Sequence, residues 1–246
     1  MSNFNVYLVF VSYIVAVIGS LMALIAVRDA LHDEPNSRSS MIWVSALCLG
    51  GVGIWSMHFI GMLAYNMNGM AMNYNWWLTA LSFVVGVGVV YCGLTIMAIG
   101  KFGFLKLIMA GFLVGLGVAA MHYTGMLSMQ MQADTKWDTS IIAVSTGIAV
   151  VAAIVALWLA VHVKRLWQIV VSALVMGVAV CGMHYTGMTA VEFVQNDALP
   201  TVSPMGLTGT IFTLIIISID AIIVIFSMLM VMARANKRLF IENKLA

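Results

Sequence analysis

The chain has 246 residues, 63% of them hydrophobic and 8% charged, with a formal charge of +2. At a mean hydropathy of +1.07, a water-soluble domain could not cover its surface with polar groups, so lipid is the solvent. The small charge and scattered basic residues argue against nucleic acid as a partner, and three cysteines inside apolar runs (Cys48, Cys92, Cys181) argue against a disulfide framework.

Seven apolar stretches reach the length of about 20 residues that a helix needs to cross hydrocarbon. They cover roughly 5–27, 41–65, 76–99, 107–131, 139–161, 168–191 and 205–232. The lead-in Met1-Ser2-Asn3-Phe4-Asn5 has no basic n-region and no small-residue cleavage pattern, so the first stretch reads as a retained helix. The predicted fold is an all-α integral membrane domain of seven transmembrane helices over residues 1–232. Residues 233–246 form the cytoplasmic start of a linker helix. Arg28 to Ser40 is the most polar loop, with a turn signal at Asp33-Glu34-Pro35-Asn36.

Orientation follows from the basic residues. Arg28, Arg38, Lys101, Lys106, Lys164, Arg165, Arg234, Lys237, Arg238 and Lys244 fall on one side, and Lys136 on the other. This predicts a cytoplasmic C-terminus and an outer N-terminus. The outer side carries Asp134, Asp138, Glu192 and Asp197, the anchors Trp76, Trp77 and Trp137, and a methionine-rich loop from Asn66 to Asn73.

One hexapeptide repeats along the chain. Met121-His122-Tyr123-Thr124-Gly125-Met126 and Met183-His184-Tyr185-Thr186-Gly187-Met188 are identical, and Met57-His58-Phe59-Ile60-Gly61-Met62 is a variant. Each copy ends a helix that runs outward and precedes one that returns. The reading is three parallel two-helix repeats with the first helix as an extra, and a site where repeats meet. Three hairpins around one axis would bring the imidazoles together on the order of 10 Å below the outer boundary, open to that side or to lipid.

Within a copy, the histidine shares a helix face with the second methionine (Met62, Met126, Met188), four residues on. The glycine between them (Gly61, Gly125, Gly187) clears room for a neighbour or a ligand. The first methionine (Met57, Met121, Met183) is offset by about 100°. Imidazole with thioether favours copper, and three imidazoles with an open position equally suit zinc. Cys181, one turn before His184, is an optional further ligand. Tyr123, Thr124, Tyr185 and Thr186 are candidates to hydrogen-bond the ligands, a role that Phe59 and Ile60 break in the first copy. Gly111 and Gly115 read as packing positions. Asp220, mid-helix in lipid, is a functional candidate as a proton relay or a neutral structural carboxyl, some seven residues deeper than the histidines.

This pattern closely resembles the bacterial MHYT integral membrane sensor domain over essentially the whole chain. The resemblance implies a sensor that binds copper through His58, His122, His184 and their flanking methionines and responds to a diatomic gas (oxygen, carbon monoxide or nitric oxide). It also implies a cytoplasmic output module or partner protein, and such a sensor domain is not itself an enzyme. A homodimer is one option for its assembly, in the bacterial inner membrane. Two other readings stay open at this level: a copper or proton transporter, and a bis-histidine haem protein.

Overall fold

In hydrocarbon every backbone amide must find its partner within its own segment, and the seven apolar stretches do so as helices. The computed structural model describes residues 4–32, 35–66, 72–196, 198 and 207–245. The spans are Val6–Ala30, Arg38–Leu63, Trp76–Ala98, Phe104–Leu127, Thr139–His162, Leu166–Met188 and Gly209–Lys237, each within a few residues of the predicted stretch. The elements are α1 (Val6–His32), α2 (Pro35–Ala46), a π-helical segment (Leu47–Ser56), α3 (Met57–Leu63), α4 (Trp76–Ala98), α5 (Phe104–Leu127), α6 (Thr139–His162), α7 (Leu166–Met188) and α8 (Gly209–Leu245). Thus α2, the π segment and α3 make up the second span. The turn at residues 33–34, the methionine-rich loop at 67–71 and Asp197 lie outside the described residues.

Six helices close into a ring. The second span, α5 and α7 carry the three motifs and sit inside. Between them lie α4 (second span to α5), α6 (α5 to α7) and α1 (α7 back to the second span). The last helix, α8, packs outside against α1 and the π segment. The helix left over from the threefold arrangement is therefore α8, whereas the sequence reading set α1 apart.

Hydrogen bonds confirm that α1 belongs with α4 and α6. The amides of Asn5, Asn75 and Asp138 donate to the carbonyls of Ala64, Ser128 and Ala190 at 2.8, 2.7 and 2.8 Å. Each acceptor lies six residues after a motif histidine (64 − 58, 128 − 122 and 190 − 184). The same three side chains cap their helices: Asn5 Oδ1 accepts from Tyr7 and Leu8, Asn75 Oδ1 from Trp77 and Leu78, and Asp138 from Ser140 and Ile141. The Ser140 hydroxyl, then the Ile141 and Ser140 amides, hold the Asp138 carboxyl below its ordinary range.

Glycines set how closely the ring closes. Gly19 of α1 meets the backbone at Gly53, and Gly50 meets that of Gly86 on α4. Gly93 takes Val114, Gly117 takes Val89, and Gly177 takes Val17 and Tyr13. Gly111 and Gly115 receive Ile154 and Val150 of α6, so they are packing positions as expected.

The face where α1 begins is roofed by two small antiparallel sheets. One orders β2 (Met129–Gln130), β1 (Asn73–Tyr74) and β5 (Leu207–Thr208); the other pairs β3 (Ala133–Trp137) with β4 (Val191–Gln195). Beneath the first sheet, Tyr74, Phe59 of α3 and Phe212 of α8 are fully buried. Their ring centroids lie 4.5–5.6 Å apart, each pair adding about 0.5–1.5 kcal/mol beyond its burial.

Candidate metal centre

The three motifs meet on the ring axis. His58, His122 and His184 are each 1% exposed. Their Nδ1 atoms form a triangle with edges of 3.0 Å (His58–His184), 3.0 Å (His122–His58) and 3.4 Å (His184–His122). The expectation that a threefold arrangement would gather the imidazoles is met. The expectation of a site open toward the side where α1 begins is not, because the sheets and the Tyr74–Phe59–Phe212 cluster cover it.

Each imidazole is seated by a glycine from another copy. A Cβ on Gly125 would overlap Nε2 of His58, one on Gly187 would overlap Nε2 of His122, and one on Gly61 would overlap Nε2 of His184. The motif glycine therefore clears room for the next histidine around the ring. The Nε2 atoms themselves are buried and have no hydrogen-bond partner among the described residues.

The triangle sets a problem that hydrogen bonding cannot solve. A bond between two Nδ1 atoms needs one that carries a proton and one that is bare. Around three corners that alternation cannot close, so at least one edge sets like against like. A buried polar group left so costs about 1–3 kcal/mol. A cation at the centre removes the conflict, because all three Nδ1 atoms then present lone pairs. With edges of 3.0, 3.0 and 3.4 Å, the centre lies about 1.8 Å from each corner, close to the metal–imidazole bond of about 2.0–2.1 Å. The three histidines could hold a metal ion. A haem does not fit. Its axial ligands must stand on opposite faces of a macrocycle, and imidazoles in mutual contact leave no slot for one.

Met57, Met121 and Met183 are buried and wall the same cavity as the histidines. Met62, Met126 and Met188 are equally buried, one turn nearer the roof, and are not among its walls. Cys181 is half-buried with its thiol toward Ser12 of α1. The cavity, of about 60 Å³, extends from the histidines away from the roof. Its walls are almost wholly Ala, Val, Leu and Met from all six ring helices.

The motif tyrosines serve the ring rather than the histidines. Tyr123 Oη bonds Ser145 Oγ of α6 at 2.5 Å, and Tyr185 Oη bonds Ser12 Oγ of α1 at 2.8 Å. In the variant copy Trp55, a turn before Phe59, plays the same role by donating from Nε1 to Ser82 Oγ of α4 at 3.0 Å. That releases Phe59 to stack edge-on against Phe212 of α8 at 4.9 Å. The departure in the first copy is therefore where the seventh span docks.

Two further bonds fasten α8 to the π segment. Ser56 Oγ donates to Asp220 Oδ1 at 2.6 Å, and Cys48 Sγ lies 3.0 Å from Ser227 Oγ. Asp220 thus meets a residue two positions from His58, nearer the histidine layer than the sequence count placed it, because α8 begins at Gly209 and not at 205.

The profile described as a bacterial signalling protein N-terminal repeat, MHYT, matches residues 51–110 and 115–173. The chain is 38% identical over 199 residues to the bifunctional diguanylate cyclase/cyclic di-GMP phosphodiesterase MucR of Pseudomonas aeruginosa, covering 78% of this chain and 28% of that protein. It is 33% identical to the cyclic di-GMP phosphodiesterase NbdA of the same organism (82% and 26%), and 29% identical to the signalling protein YkoW of Bacillus subtilis (80% and 25%). The chain spans about a quarter of the length of these relatives. No solved structure matches it. A multi-pass membrane protein whose third motif copy completes the histidine triangle begun by the two matched repeats, the chain belongs to the MHYT family of bacterial signalling proteins.

Proposed function

We propose that this chain is the sensing region of a membrane signalling protein, with copper held by His58, His122 and His184 and a diatomic gas (oxygen, carbon monoxide or nitric oxide) as its stimulus. The observation that carries the reading is the Nδ1 triangle, whose three edges cannot all be hydrogen bonds and whose conflict a central cation would remove by taking all three lone pairs. Met57, Met121 and Met183, which line the same cavity as the histidines, favour a soft ion. Copper bound there would supply a ligand-accepting, redox-active centre. The chain's own residues fix the imidazoles by the glycine seats and exclude water by the roof and the apolar walls.

The signal leaves through α8. Ser56–Asp220, Cys48–Ser227 and Phe59–Phe212 join it to the segment that carries His58. A gas can move α8 only if it binds two arrangements of the ring with different affinity. Ten of the 11 basic residues lie on the side away from the roof. That argues for the C-terminal end of α8, residues 233–246, lying in the cytoplasm, where an output module or a partner protein would receive the movement. Output through cyclic di-GMP enzymes, as the names of two relatives state for those proteins, is the form we favour.

Transport of copper or protons is less well supported. Below the histidines the walls offer an ion no charged group, and the polar Ser45 already donates to the Ala23 carbonyl.

The test is metal analysis of protein purified without an affinity metal, beside His122→Ala and His184→Ala. Stoichiometric copper in the parent, absent from both variants, and a spectrum altered by nitric oxide or carbon monoxide are expected. Copper retained by both variants would overturn the assignment, and zinc in its place would overturn the choice of metal.

A further inference from the structure

Five of the six seams of the ring are closed by a glycine that admits its neighbour. Gly19 and Gly53 close α1 against the second span, and Gly50 and Gly86 close the second span against α4. Gly93 and Gly117 close α4–α5, Gly111 and Gly115 close α5–α6, and Gly177 closes α7–α1. The sixth seam, between α6 and α7, has no such contact among the described residues. Gly147 and Gly182 on these two helices each have open space where a side chain would point. This seam is lined by small side chains instead: Ala152 and Ala156 of α6 and Ala179 of α7 are cavity walls that are not fully buried. On α1, α4 and α5 every aliphatic wall residue is buried.

We infer that the α6–α7 seam is a lateral portal through which a small apolar molecule passes from lipid into the cavity below the histidine triangle. Three points lead there. The roof closes the opposite side, so the histidines communicate with the cavity and not with the face where α1 begins. A volume of about 60 Å³ exceeds the roughly 10–15 Å³ that one water requires. Yet below the histidines the walls are mostly alanine, valine and leucine, and the one hydroxyl among them, Ser45, is already bonded to the Ala23 carbonyl, so water finds too few partners to settle there. A neutral diatomic or a noble-gas atom needs no polar partner. At the other end, the buried Ala160 lines both the cavity and a dent that carries Arg28, Arg38 and Lys164, and an ion coming from that dent meets cavity walls with no Asp, Glu, Lys or Arg among them. The ligand class is small, uncharged and lipid-soluble. This rests on the reading of the triangle as the sensing centre and adds the side of approach.

The test fills the seam. Ala156→Phe and the milder Ala156→Leu, each with Ala179→Leu, are compared with Val178→Phe, which enlarges a lipid-facing side chain on the same helix as Ala179. Copper content and its electron paramagnetic resonance signal are expected to be unchanged, and the nitric oxide association rate to fall about tenfold in the seam variants. The Val178→Phe rate should equal that of the parent. Crystals of metal-free protein under xenon should show the atom between Ala152, Ala156 and Ala179 or in the cavity above, and lose it in the seam variants. Unchanged association rates in seam variants that hold full copper would overturn the portal. A parent that holds no copper would overturn the proposed function alone, and the xenon positions would then decide the seam: xenon absent from both seam and cavity overturns it.

Discussion

Gly125 has no side chain, yet it decides where His58 can sit. Gly125→Ala should push the imidazole out of the triangle, strip the metal and cost about 1–3 kcal/mol through overpacking. Gly88→Ala, at a position with open space around it, should keep both metal and stability; metal content and thermal unfolding of the two variants check this. The histidines were legible in the sequence because three copies at near-constant separation are a strong signal. Their seating was not, since offsets within one helix say nothing about which glycine of another helix an imidazole will meet. The tyrosines show the same limit. Their partners Ser12 and Ser145, like Ser82 beside Trp55, sit on the intervening helices. Ser82 and Ser145 are 63 residues apart (145 − 82), matching the motif spacing, which is the clue that would have found them.

Among the elements, the π segment is the one that composition hides. Leu47–Ser56 is as apolar as its neighbours, and the wider winding shows only as three glycines, Gly50, Gly51 and Gly53, crowded against neighbouring helices. π-helical turns are rare and gather at functional sites. Here the segment runs directly into Met57 and His58 and holds Asp220 through Ser56. Under the proposed function a change at His58 reaches α8 across this short stretch of unusual winding, which α5 and α7 lack. Ser56→Ala should keep its copper, but a spin label at position 233 on α8 should no longer change mobility when nitric oxide is added. A label that responds as in the parent would show that coupling runs elsewhere.

For the whole molecule, seven helices around a threefold plan leave one over, and hydropathy cannot say which end of the chain supplies it. The matching caps Asn5, Asn75 and Asp138 were the sign, already present in the residues, that α1 belongs in the ring. A misread hairpin pairing still gathered the histidines correctly, because they lie on the same three inner helices either way. The gathered site should also fasten the fold: a ligand that binds only the native state raises Tm by mass action. A copper(I) chelator should lower the Tm of the parent and leave that of His184→Ala unmoved, as read by thermal unfolding in one detergent. The interlocked glycines carry a last consequence, for descent. Each copy clears space for a histidine that belongs to a different copy, so no copy is a self-sufficient unit that could be exchanged alone. A side chain gained at Gly61 is answered at His184, one at Gly125 at His58, and one at Gly187 at His122. A change in one copy therefore calls for its compensation on another helix, far along the chain.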